Sequence, residues 1–501
     1  GLSFLIFISY STTLFYHHGY QFNLLILLIG LLVFLFSLKL DKNFKINLKQ
    51  HIIVFLILII FIYVGKNHDD FPYYHFPYSH LLTQIEHPIG LGQLNHGFRT
   101  PSSLFFLNSL FYLPKIEFYL LHISPVYFLG FSNLIFYNFI KERKIYEKFK
   151  SINFFSLLSL SFINVFFYRL AEHGTDRSGM ILIFVMMVIA LFIQNNDNEK
   201  RNLNLFYFFC VIMAMLVSLK PFYIIYFPLI VILLFFNFRK NLIKILKSKT
   251  TFYCIAFISF VLFFNFINSS CLVYPAEFTC FKNFYWSIDS DEIKTLNQWY
   301  ELWAKAGATP NYIVNDRANY VSGINWLPNW TENYFFNKVS DYLLSLSLFL
   351  IIFWFIFMFK RKKKKTNYSK IKFRLLYFFF ILCLLEWFFK HPALRYGGYH
   401  IIAILCFIPL SIYLMSVKID FRKFMTNATI MMMLIITIFI SRNINRLIKE
   451  NKLYNFNPII SYKFNYDKKF YNRYFDKINK NKINYKKSLF LGKEFMITKI
   501  E

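Results

Sequence analysis

The sequence predicts an all-α polytopic membrane protein of about thirteen spanning helices (about 11–14), with an external cap of helical and irregular segments. Three observations carry that prediction. Apolar runs recur along all 501 residues, which are 57% hydrophobic. Charged residues make up only 16%, where a soluble chain has about a quarter. Lys and Arg gather in short clusters between the apolar runs, as they do in the loops of membrane proteins. A soluble globular enzyme, a disordered chain and a fibrous repeat are excluded together.

The apolar runs fall near 3–16, 22–40, 52–65, 117–139, 153–170, 179–194, 204–219, 221–237, 252–268, 342–359, 373–389, 400–417 and 428–441. Each is read as a helix, because hydrocarbon tolerates only backbone whose hydrogen bonds are closed internally. The chain starts at Gly1 without Met, as a fragment would, and its first apolar run reads as a membrane segment, not a cleavable signal. Connecting loops alternate in charge. Loops 39–51, 141–150, 195–203, 238–251, 360–374 and 418–427 hold 28 Lys or Arg, against 12 in 17–21, 66–116, 171–178, 220, 269–341 and 390–399. The positive-inside rule places the first set in the cytoplasm and the second outside. The net charge of +30 is therefore read as topology and contact with membrane lipids, and no nucleic acid is expected as a partner. Six cysteines without a CxxC argue against a metal knuckle. Residues 1–441 form the transmembrane domain in this reading. Residues 442–501, with 15 Lys or Arg against 5 Asp or Glu, form a basic tail on the outer side, against anionic headgroups.

Ten of the twelve histidines fall in or beside the outward loops, which points to a site opening outward. The first such loop carries Asp69 and Asp70, then His75, His96 and Arg99. Adjacent carboxylates suit a general base, because one raises the pKa of the other, or a divalent cation such as Mg or Mn. They equally suit helix capping. Residues 102–113 are too short to span, and are expected as an interfacial helix along the outer surface. The second loop packs Glu172, His173, Asp176 and Arg177 into a tight turn. An Arg there can hold phosphate in a fork, with Asp176 supporting it, or the turn can be internally paired. In the third, Cys271 and Cys280 can close a disulfide, and five tryptophans suggest aromatic platforms or an interfacial belt. The fourth holds Arg395, Gly397, Gly398 and His400. The glycines are expected to let backbone approach an anion at a helix N-terminus beside Arg395. Glu386, near the membrane boundary, requires a partner, and Lys390 is one candidate.

This arrangement resembles the multi-spanning glycosyltransferases of the C-type fold, which take sugars from polyprenyl-phosphate donors. The likeness rests on the acidic first large outward loop, the helix expected after it, the polar turn from Glu172 to Arg177, and the outer tail. It implies an inverting transfer, with Asp69 or Asp70 as base and Arg395 on the lipid phosphate. His75, His96, Arg99, His173, Asp176, Arg177 and His400 are the accompanying substrate-binding candidates. The segments FPYYH, NHGFRTP, HGTDRSG and ALRYGGY are also similar to bacterial membrane proteins of surface-polysaccharide loci. The function expected is sugar transfer to an envelope glycan or lipid at the outer face of a bacterial inner membrane. A polysaccharide polymerase or ligase, or a flippase for lipid-linked glycans, stands as the alternative.

Overall fold

Every one of the thirteen apolar runs lies in or across a helix of the structure, a computed structural model. It describes residues 1–40, 44–63, 70–171, 174–308, 314–358, 372–454, 485–490 and 493–498. The amino-terminal half holds α1 (Leu2–Thr13), α2 (Tyr20–Lys39), α3 (Phe44–Leu58), α4 (Phe76–Gln84), α5 (Ser103–Ser109), α6 (Pro125–Lys141), α7 (Arg143–Phe166), α8 (Gly174–Asn195) and α9 (Glu199–Leu219). The rest comprises α10 (Pro228–Asn237), α11 (Leu242–Leu246), α12 (Lys249–Ser269), α13 (Ser290–Lys305), α14 (Arg317–Val321), α15 (Leu327–Trp330), α16 (Ser340–Met358), α17 (Arg374–Lys390), α18 (Gly398–Met415) and α19 (Phe421–Tyr454). Among the described residues the only strands are β1 (Tyr485–Phe490) and β2 (Lys493–Thr498), an antiparallel pair.

Nine helices among the described residues are long and apolar enough to cross a membrane, or ten if the bent pair Pro221–Asn237 and Arg239–Leu246 counts as one span. α6 and α17 have 17 residues each and α1 only 12. Local signals place the boundaries. Pro sits in the first turn of α6 and α10, where its missing N–H costs nothing. Asn198 and Ser248 cap α9 and α12 by accepting backbone N–H bonds.

The centre of the bundle is α7 and α8, with α6, α9, α18 and α19 around them. Lipid removes the hydrophobic drive between helices, so close packing and interhelical hydrogen bonds must hold them. Both are present. Phe184 of α8 lies between Phe162 and Phe407, at ring distances of 5.3 and 6.0 Å. Asn133 and Asn164 exchange amide hydrogen bonds of 3.1 and 2.7 Å between α6 and α7. At the basic end, Arg201 grips Glu142 through two bonds of 2.6 Å, tying α9 to the α6–α7 junction.

The 269–341 loop folds over the opposite end. Trp326 and Trp330 are buried as its core, and the Trp330 Nε1 donates to the carbonyl of Pro392. The buried Lys305 pairs with Glu301 and lies over the Trp326 ring. Cys271 and Cys280 are joined in a disulfide.

The structure corrects two expectations and adds detail to two more. Residues 102–113 do not lie along the surface: all seven residues of α5 are buried, because α1, α4 and α9 cover it. Glu386 is partnered by His391 at 3.1 Å, while Lys390 reaches Glu301 in the cap at 3.5 Å. The boundary at 441/442 falls inside α19, whose helix runs on to Tyr454. Gly398 serves close packing, since a Cβ there would stand 2.6 Å from the Trp387 ring.

Candidate functional site

Three connecting loops and one helix end deliver charge to a single place. Asp70 precedes a π-helical turn, Phe71–His75, and its side chain makes no cap bond to that turn. It meets Arg395 instead, with Oδ2 3.4 Å from Nη2. Asp176, in the first turn of α8, lies 3.4 Å from the Arg395 Nε through its own Oδ2. Its other oxygen accepts from the Lys220 ammonium, where α9 ends. The result is a chain of alternating charge, Asp70, Arg395, Asp176 and Lys220, drawn from positions 325 residues apart in sequence.

The surroundings fix this geometry. Arg395 stands 5.6 Å over the Trp303 ring and 5.7 Å from that of Tyr396, so the cap supplies one wall of the site. Tyr223, three residues after Lys220, donates to the Asp176 carbonyl at 2.8 Å. That approach requires Gly179, because a Cβ there would fall 2.2 Å from the Tyr223 ring. Gly97 admits the Tyr74 ring in the same way, at 2.4 Å. Tyr74 is half-buried beside Asp70 and Asp176, and its hydroxyl is held well above the usual pKa by desolvation first and by the two carboxylates second. Burial alone would lower the Arg395 pKa, but Asp176, Tyr396 and Asp70 outweigh it and raise it. The guanidinium is a permanent cation. Of the two carboxylates Asp70 is the more open, at 28% side-chain exposure against 13% for Asp176.

Other candidates are engaged elsewhere. Arg99 donates to the carbonyl of Gly92, the Tyr274 hydroxyl and Glu292, clamping the first loop to the cap. His400 is fully buried and 2.5 Å from the Tyr226 hydroxyl. His75 is buried against Tyr74 and Phe105. His96 opens a short 3-10 turn near Arg99, and burial lowers its pKa. Arg177 lies over the Phe167 ring. Asp69 and His173 lie outside the described residues. Among the described residues no three His, Cys, Asp or Glu side chains are grouped to hold a metal ion. Asp70 and Asp176 do not chelate an ion between them, because Arg395 stands between the two carboxylates, and the expected Mg or Mn pair of Asp69 with Asp70 falls partly outside the described residues.

Lys220 is the site residue the sequence reading passed over. Its signal was present: a single charge separating two apolar runs, followed at once by Pro221. Trp303, Tyr74 and Tyr223 had no comparable signal in a chain with 22% aromatic residues.

The family profile described as a domain of unknown function, DUF8201, matches residues 1–403. The chain belongs to that family. No curated protein and no solved structure matches it. The matched stretch of this DUF8201 member contains all four residues of the charged chain, from Asp70 to Arg395.

Proposed function

We propose that this protein is a membrane glycosyltransferase that moves a sugar from a polyprenyl-phosphate donor to an envelope glycan or lipid, at the outer face of a bacterial inner membrane. The observation that carries this reading is the meeting of Asp70, Asp176 and Arg395 under an aromatic wall at one end of the helices. Asp70 is the more exposed carboxylate and takes the part of general base toward an acceptor hydroxyl. Asp176, held by Lys220 and Tyr223, positions Arg395. The Arg395 contacts of 3.4 Å are long for a charge-assisted bond, which is optimal at about 2.7–2.9 Å. A donor phosphate offers the same guanidinium shorter, bidentate partners.

A carrier of lipid-linked glycans would place its charges near mid-membrane on broken helices. Here they sit at helix ends and in connecting loops, which favours an enzyme.

The test is sugar transfer in membranes carrying the full-length chain, with a panel of radiolabelled polyprenyl-phosphate sugars as donors. Asp70→Asn keeps the side-chain size and removes the base, so transfer should fall by about 10²–10⁴-fold while the protein stays folded. Arg395→Lys should also impair transfer, since an ammonium cannot reproduce the guanidinium fork. Wild-type transfer by Asp70→Asn and by Asp69→Asn alike would sink the assignment.

A further inference from the structure

Away from the charged site, α3, α6, α7 and α19 leave an elongated cavity of about 260 Å³ between them. Its exposed walls are mostly apolar, with Ile53 and Ile57 from α3, Leu134 from α6, Leu160 from α7 and Met433 from α19. The two asparagines that reach it, Asn133 and Asn164, are already bonded to each other. Such a surface offers water too few partners, and an apolar cavity of about 150 Å³ already stays dry and takes up an apolar guest. The lining residues of α3 run from Gln50 to Leu58, about 12 Å along a helix axis at 1.5 Å per residue. That is the shape of a chain, not of a compact ligand. Phe55 set against Gly130, where a Cβ would meet its ring at 2.7 Å, pins α3 to α6 beside the cavity.

One mouth of this cavity is polar and basic. Gln50 lies in its lining, and Lys141 donates to the Gln50 side chain at 3.1 Å. Lys141 also stands 5.2 Å over the ring of Tyr137, another lining residue. Lys45 and Lys49, both exposed, are on the same end of α3. This end is remote from the site described above. α6 starts at Pro125 beside Gly174, next to Asp176, and reaches Lys141 only after 17 residues. α3 and α19 are peripheral, with 11% and 28% of their apolar stretches buried, so the cavity opens toward the surrounding lipid.

We infer that the α3–α6–α7–α19 cavity holds one acyl chain of an anionic phospholipid from the basic-side leaflet, with its phosphate at Lys141 and Gln50. Length and apolarity select the chain, and Lys141 selects the charge. The position at the far end from Arg395 makes the occupant a resident lipid and not the donor of the outward site.

Native mass spectrometry of the full-length protein in mild detergent tests this, with phosphatidylglycerol and phosphatidylcholine of identical chains as probes. The wild type should bind one phosphatidylglycerol at least tenfold more tightly than phosphatidylcholine. Thr429→Trp changes an exposed lining residue and fills the cavity, so one-to-one binding of both lipids should fall at least tenfold. Lys141→Gln should erase the preference for phosphatidylglycerol and leave phosphatidylcholine binding as it was. Undiminished lipid binding by Thr429→Trp, or no one-to-one complex in the wild type, overturns the cavity assignment. A preference that survives Lys141→Gln overturns the headgroup position.

Discussion

Helices α2 and α8 are close in length and both strongly apolar, yet 94% of the apolar stretch of α8 is buried and only 6% of that of α2. Hydropathy therefore says that both can lie in hydrocarbon and nothing about what each one touches. The difference lies in the residues that interrupt the apolar pattern. α8 opens with Gly174, Asp176, Ser178 and Gly179, small or polar groups that let Pro125 and Tyr223 come close and Lys220 and Arg395 dock. α2 carries polar groups only at its ends, Ser37 and Lys39 in its last turn and Tyr20, Gln21 and Asn23 in its first. There Asn23 donates to the carbonyls of Ser109 and Tyr112, and His18 holds Ser109 Oγ at 2.7 Å. Beyond that tether most of its side chains are exposed. Small residues and satisfied hydrogen bonds, not greasiness, decide which helix is interior.

Matched substitutions would break this contrast if it is wrong. Phe184→Ala in α8 removes a fully buried ring and should cost about 3–5 kcal/mol of stability. Leu28→Ala in α2 removes a side chain that is 49% exposed and should stay within about 0.5 kcal/mol. Unfolding in detergent of the two variants side by side gives the comparison, and equal losses would refute it.

The same exchange should change sign between the helices. Gly179→Ala drives a methyl into the Tyr223 ring and should destabilise by about 1–3 kcal/mol, with partial rescue by Tyr223→Ala. Gly30→Ala in α2 meets nothing within 4 Å and should stabilise by about 0.5–1 kcal/mol, the ordinary helix preference for Ala. Melting temperatures that move in the same direction would contradict the contrast.

The smallest effect sharpens the account of the α2 tether. Burial pushes the His18 pKa down to about 3, with His17 adding to the shift. The folded state holds this ring neutral while the unfolded chain protonates it near 6.5, so the contribution is complete above pH 6.5. It is lost as pH falls toward 3, at about 1.4 kcal/mol for each unit. Between pH 7.5 and 5.5 the wild type should lose about 1.4 kcal/mol that His18→Gln does not lose. Equal acid sensitivity of the two in thermal unfolding would remove His18 as the cause.

Helical spans and their approximate ends were legible in the chain because the period and length of apolar runs are local properties. The grouping of Asp70, Asp176 and Arg395 at one end of the helices was legible too, since charge alternation puts their loops on one side. Their meeting in one chain of alternating charge was not legible, and neither was the part of Lys220, one lysine among 56 Lys and Arg residues. The fate of Arg99 shows the same limit from the other side. Its composition and place matched those of Arg395, but Glu292, Tyr274 and Gly92 converge on it from segments up to 193 residues away. Sequence by itself determined that this chain is helical, apolar and sided, because those follow from each residue's own preference for hydrocarbon or water. Tertiary structure alone decided which charges pair, which glycines are contact points and which helices become interior. Those depend on distances between residues far apart in the chain, and neither composition nor period encodes such distances.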